Sequence, residues 1–376
     1  MSECIYEALY AFLQKSHTAA LATVIKTKGS TPREVGARML VGPQGLVTGT
    51  VGGGGGEGKV IRAAERVLKT GCPEVVRVNL TAPIRMEAQG LCGGVYWVLV
   101  ERWTADSGTL EILRRLVEAV QRRKRVARVV LVPESEETPA TVGAVYVPSE
   151  GITDVSGFLE SRPHLRNRVV QLVETGGLST TLPVEDVEGA SEVFVDVVLP
   201  PPRLVILGAG HIAVPLAQMA SLHDYHVVVV DDRPGFAVPK RFPTADELVT
   251  MPLVEALEGL EADHNTYLIF VTRSHALDVE GLATVWGRGY PYIGLIGSRR
   301  RIRAVRELLQ KRHGIDLENW PEVYAPVGLN IGAETPAEIA TSILAELTLV
   351  RRGGTGQSLS REVLRPTTQA VPEVTS

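Results

Sequence analysis

The sequence predicts an α/β protein in two parts: a Rossmann-like, doubly wound parallel sheet in the C-terminal part, preceded by a mixed α+β domain. Three observations carry this. The turn Gly208-Ala209-Gly210-His211-Ile212-Ala213 follows an apolar run and opens a helical pattern. After it, continuous apolar runs alternate with helical stretches, the pattern of a parallel sheet covered on both faces. Before it, Pro200-Pro201-Pro202 cannot join a central strand and reads as a stiff spacer. The expected layout is a first domain over 1–199, a proline linker at 200–202, a Rossmann-like domain over 203–352 and a disordered tail over 353–376.

In the first domain, Ile5, Leu9, Phe12 and Leu13 recur at helical spacing, so residues 3–15 read as a helix. Residues 19–25 read as a strand, followed by the loop KGSTPREVG. Residues 37–41 and 46–51 read as a hairpin around GPQG. The run GGGGGEG at 52–58 is expected as a linker, or as a loop whose backbone passes close to something, because glycine loses the most backbone entropy on folding. A helix over 59–68 should follow. Strands are expected at 75–80, 95–100, 127–132, 142–147 and 193–199, with helices at 110–122 and 164–174.

In the second domain, RLVIL, the glycine turn, a helix and HVVVV form a strand–helix–strand unit ending at Asp231-Asp232. Strands at 267–272 and 292–296 and helices at 279–287, 299–313 and 336–349 complete it. Thr335, Pro336 and Glu338 spell a capping box.

Composition is that of an ordinary soluble globular protein, with 44% hydrophobic and 22% charged residues. A net charge of -4 argues against a general nucleic-acid binder. The start lacks a signal-peptide pattern, and no stretch is long and apolar enough for a membrane span. A cytoplasmic protein is expected. The cysteines, Cys4, Cys72 and Cys92, are too sparse for a disulfide framework or a zinc site.

The candidate chemistry starts at the glycine turn. Gly208 permits the tight bend, Gly210 the approach of a pyrophosphate, and His211 stands at the helix start, where free N–H groups favour an anion. Asp231 or Asp232 is placed to accept from a ribose hydroxyl, which favours NAD or another plain ribose nucleotide over NADP. Arg273 and His275 leave the next strand in TRSHALD, with Asp278 in the same loop. Ser298 caps the helix that begins at Arg299 and Arg300, and arginines at a positive helix end make sense beside an anion. In the first domain, Gly53, Gly54 and Glu57 lie in the glycine run. Cys92 stands between Gly90 and Gly93-Gly94, where a thiol is accessible, although a lone cysteine is usually a small buried hydrophobe.

Eight ordered blocks resemble the xanthine dehydrogenase accessory factor family, of the XdhC/CoxI type. They are GSTPREVGARMLV, GTVGGGGGEG, LCGG, PPPRLVILGAGHIA with VVDDRP, TRSHALD, IGLIGSRRR and PVGLNIGAETPAEIA. The resemblance implies a non-catalytic factor that binds molybdenum cofactor of the molybdopterin type. Such a factor assists sulfuration of the cofactor and its insertion into an apo-molybdenum hydroxylase such as xanthine dehydrogenase. A cysteine desulfurase or sulfurtransferase is then a further partner, and a homodimer is open. The resemblance also implies a cofactor contact at Cys92, through a soft donor suited to molybdenum. Where many relatives carry a bulkier residue before the glutamate, this chain continues Gly55-Gly56-Glu57. An NAD-dependent oxidoreductase is the alternative, favoured by the glycine turn and the acidic pair.

Overall fold

Two antiparallel sheets form the strand-rich first half. The computed structural model describes residues 5–80, 93–134, 144–148, 150–154, 156–187 and 189–360. The chain divides at Pro200/Pro201 into two units.

The N-terminal unit begins with α1 (Ile5–Ser16), β1 (Thr18–Lys28), β2 (Arg38–Gly42), β3 (Gly45–Gly49), α2 (Gly54–Thr70), β4 (Glu74–Asn79), β5 (Val95–Thr104) and α3 (Ser107–Gln121). It continues with β6 (Val126–Val132), β7 (Ala144–Val147), β8 (Gly151–Asp154), α4 (Pro163–Glu174), β9 (Thr180–Pro183) and β10 (Glu192–Val198). The first sheet has the order β3-β2-β1-β5-β4 and the second β8-β7-β6-β10-β9. Period-two alternation sorts the side chains. In β1, Ala20, Ala22 and Val24 pack with the buried face of α2. In β6, Ala127, Val129 and Leu131 pack with α4. The opposite faces meet through Ile25, Leu99, Val130, Val132 and Phe194.

That inter-sheet layer also holds charges. Arg128 Nη2 donates to both carboxylate oxygens of Glu101 at 2.6 and 2.7 Å, and both residues are 1% exposed. The Arg128 guanidinium lies 4.7 Å from the centre of the Trp103 ring. Asp196, also buried, accepts from Tyr6 and Arg38. Burial first, and the Asp196 charge second, push the Tyr6 phenol upward, so it stays protonated and donates.

The C-terminal unit contains β11 (Arg203–Leu207), α5 (Ala213–Leu222), β12 (His226–Val230), β13 (Glu247–Val249), α6 (Leu253–Glu258), β14 (Thr266–Phe270), α7 (His275–Val285), β15 (Tyr292–Leu295), α8 (Arg299–His313), β16 (Val323–Tyr324) and α9 (Pro336–Arg352). All six strands are parallel, in the order β13-β12-β11-β14-β15-β16. Leu204 and Ile206 face α5 and α9, while Val205 and Leu207 face α6, α7 and α8. This is the doubly wound arrangement expected. Chain order reverses between β11 and β14, the switch point where ligands collect in such sheets. The capping box is present as read: Thr335 accepts from the Glu338 amide, and Glu338 from the Thr335 amide.

The glycine run differs from expectation. Gly52 and Gly53 keep the expected loop, with a Cβ on Gly52 only 2.7 Å from the Pro32 ring, but Gly54, Gly55, Gly56 and Gly58 form the start of α2. The Glu57 carboxylate holds that start by accepting from the Gly53 amide at 3.2 Å and from the Thr50 hydroxyl. Gly56 is required there for space, since a Cβ would stand 2.5 Å from Tyr96 Oη and 2.9 Å from Val78. A second difference is that His275 and Asp278 lie in the first turn of α7, not in a loop. Ser274 caps that helix by accepting from the Leu277 amide at 3.3 Å. Pro202 is also more than spacer, because its carbonyl accepts from the His226 amide at 2.8 Å. The strands β8, β9, β13 and β16 were not expected; each is two to four residues long, too short to show periodicity. The expected features at 135–143, at Cys4, at Gly90 and Cys92, and in the tail from 361 onward lie outside the described residues.

Candidate functional site

In the C-terminal unit, the glycine turn sits at the switch point. Gly208 has φ +112, a conformation L side chains rarely adopt, and a Cβ there would lie 2.6 Å from the Val271 carbonyl oxygen. The turn is thereby seated against the end of β14. Gly210 is the opposite case, since a Cβ there would meet nothing within 4 Å. The space beside it is open. No side chain caps α5, whose cap position is held by Ile212. His211 is exposed. An uncapped helix start behind an open glycine suits a phosphate.

The two acids at the end of β12 are held differently. Asp231 is buried, with Oδ2 accepting from the Ala209 amide and Arg233 Nη2, each at 2.8 Å. Its Oδ1 accepts from the Arg233 amide at 3.0 Å and Arg233 Nε at 2.8 Å. Burial would raise its carboxyl, but the bonds from Arg233 and Ala209 outweigh this and hold it well below the usual range. Asp232 is exposed and pairs with Arg273, whose Nη1 and Nη2 reach its oxygens at 2.5 and 2.8 Å. The bonds from Arg273 lower its carboxyl.

Asp278 is fully buried and takes Arg301 Nη2 at 2.5 Å, Arg301 Nε at 3.1 Å and the Thr272 hydroxyl at 2.6 Å. Burial pushes its carboxyl up, while Thr272 and Arg301 pull the other way. It is committed to bracing the start of α8 against the end of β14. His275 is exposed and outside this brace. Ser298 accepts from the Arg301 amide at 3.3 Å, as its cap position requires. Arg299 and Arg300 are exposed, with no acidic partner among the described residues. The sequence did not single out Arg233 or Arg301, although each stands close to a candidate residue; what it lacked was the pairing.

In the N-terminal unit, three separated sequence blocks converge. A Cβ on Gly94 would stand 2.2 Å from the Ser30 carbonyl oxygen, and one on Gly52 would stand 2.7 Å from the Pro32 ring. The KGSTPRE loop, the glycine run and the Gly93-Gly94 end of the LCGG block therefore lie against one another, with Tyr96 beneath Gly52 and Gly56. Gly53 and Gly54, with φ of +74 and +59, have open space beside them. Glu57 is occupied with the start of α2. Tyr96 was missed because a buried tyrosine in an apolar strand carries no signal of its own. Among the described residues, no group of acidic, histidine or cysteine side chains is arranged to hold a metal ion. Nor is any described helix long and apolar enough to cross a membrane.

Comparison with known proteins adds to this geometry. The XdhC Rossmann domain matches residues 204–347, the span of the C-terminal sheet. The XdhC and CoxI family matches residues 12–79, from α1 through the glycine run to β4. A Bacillus subtilis (strain 168) protein, named as a probable subunit of xanthine dehydrogenase, is 28% identical over 349 residues, covering 92% of this chain and 96% of the relative. The uncharacterised protein YqeB of Escherichia coli (strain K12) is 35% identical over 173 residues, 46% of this chain and 31% of that protein. A crystal structure from Bacillus halodurans, described as a xanthine dehydrogenase, shares the fold with a TM-score of 0.72 at 24% identity, over 95% of this chain and 99% of that one. A family match in each unit, together with a relative aligned over 92% of the chain, places this chain in the XdhC and CoxI family.

Proposed function

We propose that this chain is an accessory factor that carries molybdenum cofactor and assists its sulfuration and its insertion into a molybdenum hydroxylase of the xanthine dehydrogenase kind. The observation that carries the reading is the family membership, with a relative named for xanthine dehydrogenase aligned along nearly its whole length. The cofactor is cargo here, and its chemistry belongs to the client enzyme. A sulfurtransferase and a client hydroxylase are the partners this role requires, and the cytoplasm is where it would be carried out.

The C-terminal unit fits the phosphate end of such a ligand. It offers the open space beside Gly210, the uncapped start of α5 and the arginines of the strand ends. Cys92 is the proposed soft contact toward molybdenum, and the packing of Gly93-Gly94 against Ser30 fixes the backbone that follows it. The same glycine turn favours a second reading, in which a nucleotide such as NAD binds there and the chain is an oxidoreductase. Against it, Asp278, the acid nearest the switch point in β14–α7, is spent on Arg301 and is in no position to exchange protons with a ligand.

Purification from cofactor-replete cells, followed by mass spectrometry of the bound small molecule, separates the two. A pterin, with molybdenum in stoichiometric amount, supports the carrier. NAD together with substrate-dependent NADH turnover replaces it with the oxidoreductase.

A further inference from the structure

The acids at the end of β12 have separate jobs, and the ribose position of this Rossmann turn belongs to the second of them. A carboxylate has about four lone-pair sites. Those of Asp231 are filled by the Ala209 amide and by three donors of Arg233. Asp231 is also buried, and the Arg233 guanidinium is seated 3.5 Å over the Phe236 ring. A ribose hydroxyl could bond Asp231 only by displacing one of these donors. The residue in the usual ribose-binding place is a brace that ties the glycine turn to the end of β12.

Asp232 is exposed and is paired, among the described residues, with Arg273. The two residues leave different strands. Asp232 follows β12 and Arg273 follows β14, and β11 runs between those strands. Neighbouring strands are about 4.8 Å apart, so the pair spans the carboxyl end of β11, where the glycine turn begins. A phosphate bound at Gly210 would lie at the same carboxyl end of the sheet as this bridge. It is also the natural competitor for Arg273, because a guanidinium binds phosphate and carboxylate with the same two-pronged geometry.

We propose that the Asp232–Arg273 pair is exchanged when a diphosphate-bearing ribonucleotide group binds: Arg273 moves to the phosphate, and the released Asp232 accepts from the ribose hydroxyls. The inference rests on the reading of the glycine turn as a phosphate site. It makes the bridge an internal competitor: before binding, Asp232 occupies the cation that the phosphate needs. It also gives the site a preference for ligands carrying both groups, since a phosphate alone breaks the pair without giving Asp232 a new partner.

The test is calorimetric titration of the full-length protein with pyrophosphate, ADP and 2′,3′-dideoxy-ADP. The parent should bind ADP more tightly than dideoxy-ADP. Asp232→Asn frees Arg273 and should tighten pyrophosphate binding by roughly threefold to fivefold, the worth of a solvent-exposed ion pair. Asp232→Ala, which leaves no acceptor, should no longer distinguish ADP from dideoxy-ADP. Arg273→Ala should weaken all three probes, with Arg273→Lys between it and the parent. Unchanged or weaker pyrophosphate binding in Asp232→Asn overturns the competitor role. Retained discrimination against dideoxy-ADP in Asp232→Ala overturns the ribose role. If the parent binds none of the probes, the phosphate reading itself falls, and the exchange with it. Thermal unfolding of each variant, expected within a few degrees of the parent because the pair is exposed, shows that affinity rather than folding has changed.

Discussion

Two glycines two positions apart in the glycine turn should behave in opposite ways when given a methyl group. At Gly208 the added Cβ would stand 2.6 Å from the Val271 carbonyl oxygen and 3.0 Å from its carbon, with the backbone at φ +112. The backbone conformation costs about 1–3 kcal/mol, and forcing an atom into a packed contact costs about 1–3 kcal/mol more. Gly208→Ala should therefore destabilise the C-terminal unit by about 2–6 kcal/mol. For a domain of roughly 150 residues that lowers its unfolding temperature by roughly 4–24 °C. At Gly210 the Cβ meets nothing within 4 Å. Gly210→Ala should be neutral or slightly stabilising, through the stiffer unfolded chain, yet it fills the space a phosphate needs. Far-UV circular dichroism with temperature reads the first effect, and calorimetric titration with ADP reads the second. Equal unfolding temperatures for the two variants would refute the seating of Gly208 against β14. ADP affinity in Gly210→Ala equal to that of the parent would refute the phosphate site.

Other outcomes follow from the same contacts. Arg128→Met leaves Glu101 charged and buried without its partner, so it should cost about 3–5 kcal/mol in urea unfolding; Arg128→Met with Glu101→Leu should recover most of that loss. Asp231 is held below its unfolded value, so its contribution to stability is complete above about pH 4 and fades as pH falls. The gap in urea midpoint between the parent and Asp231→Asn should accordingly be wide at pH 7, begin to shrink below about pH 4 and still be substantial near pH 3, because the folded carboxyl takes up its proton only well below that. Cys92→Ser should lower the molybdenum that co-elutes with the protein in gel filtration after loading with cofactor, while Cys72→Ser, at an exposed site, changes nothing. Equal retention in both would return Cys92 to a structural role.

What could be read from the sequence follows physical range. The C-terminal sheet was legible because its signals are local: five-residue apolar runs, a glycine turn and a capping box each declare themselves within a few neighbours. Asp231 and Asp232 were visible as a pair, but their division of labour was not. It depends on Ala209, Arg233 and Arg273, brought together only by the parallel stacking of β12, β11 and β14. Composition misled at the glycine run, since four glycines at the head of a helix contradict intrinsic propensity. Tertiary packing overrides it there: Tyr96 and Val78 leave no room for a side chain at Gly56, and Glu57 supplies the acceptor that the helix start needs. Arg128, Glu101 and Asp196 carried an unread signal. A charge at an inward position of an otherwise apolar strand marks a buried partner, but not which one.

The glycine-headed helix has a consequence for hydrogen exchange. Each glycine in a helix interior costs about 1 kcal/mol in backbone entropy relative to alanine, so Gly55, Gly56 and Gly58 in the first turns of α2 weaken that end by about 3 kcal/mol. The Glu57 carboxylate offsets only part of this. The rest of the helix, from Val60 to Val67, is pinned by buried Val60, Ala63, Ala64 and Val67. Deuterium should therefore enter the amides near residues 58–61 by brief local openings, orders of magnitude faster than those of the last two turns. The head of α2 then breathes on its own clock while its body reports the stability of the whole unit.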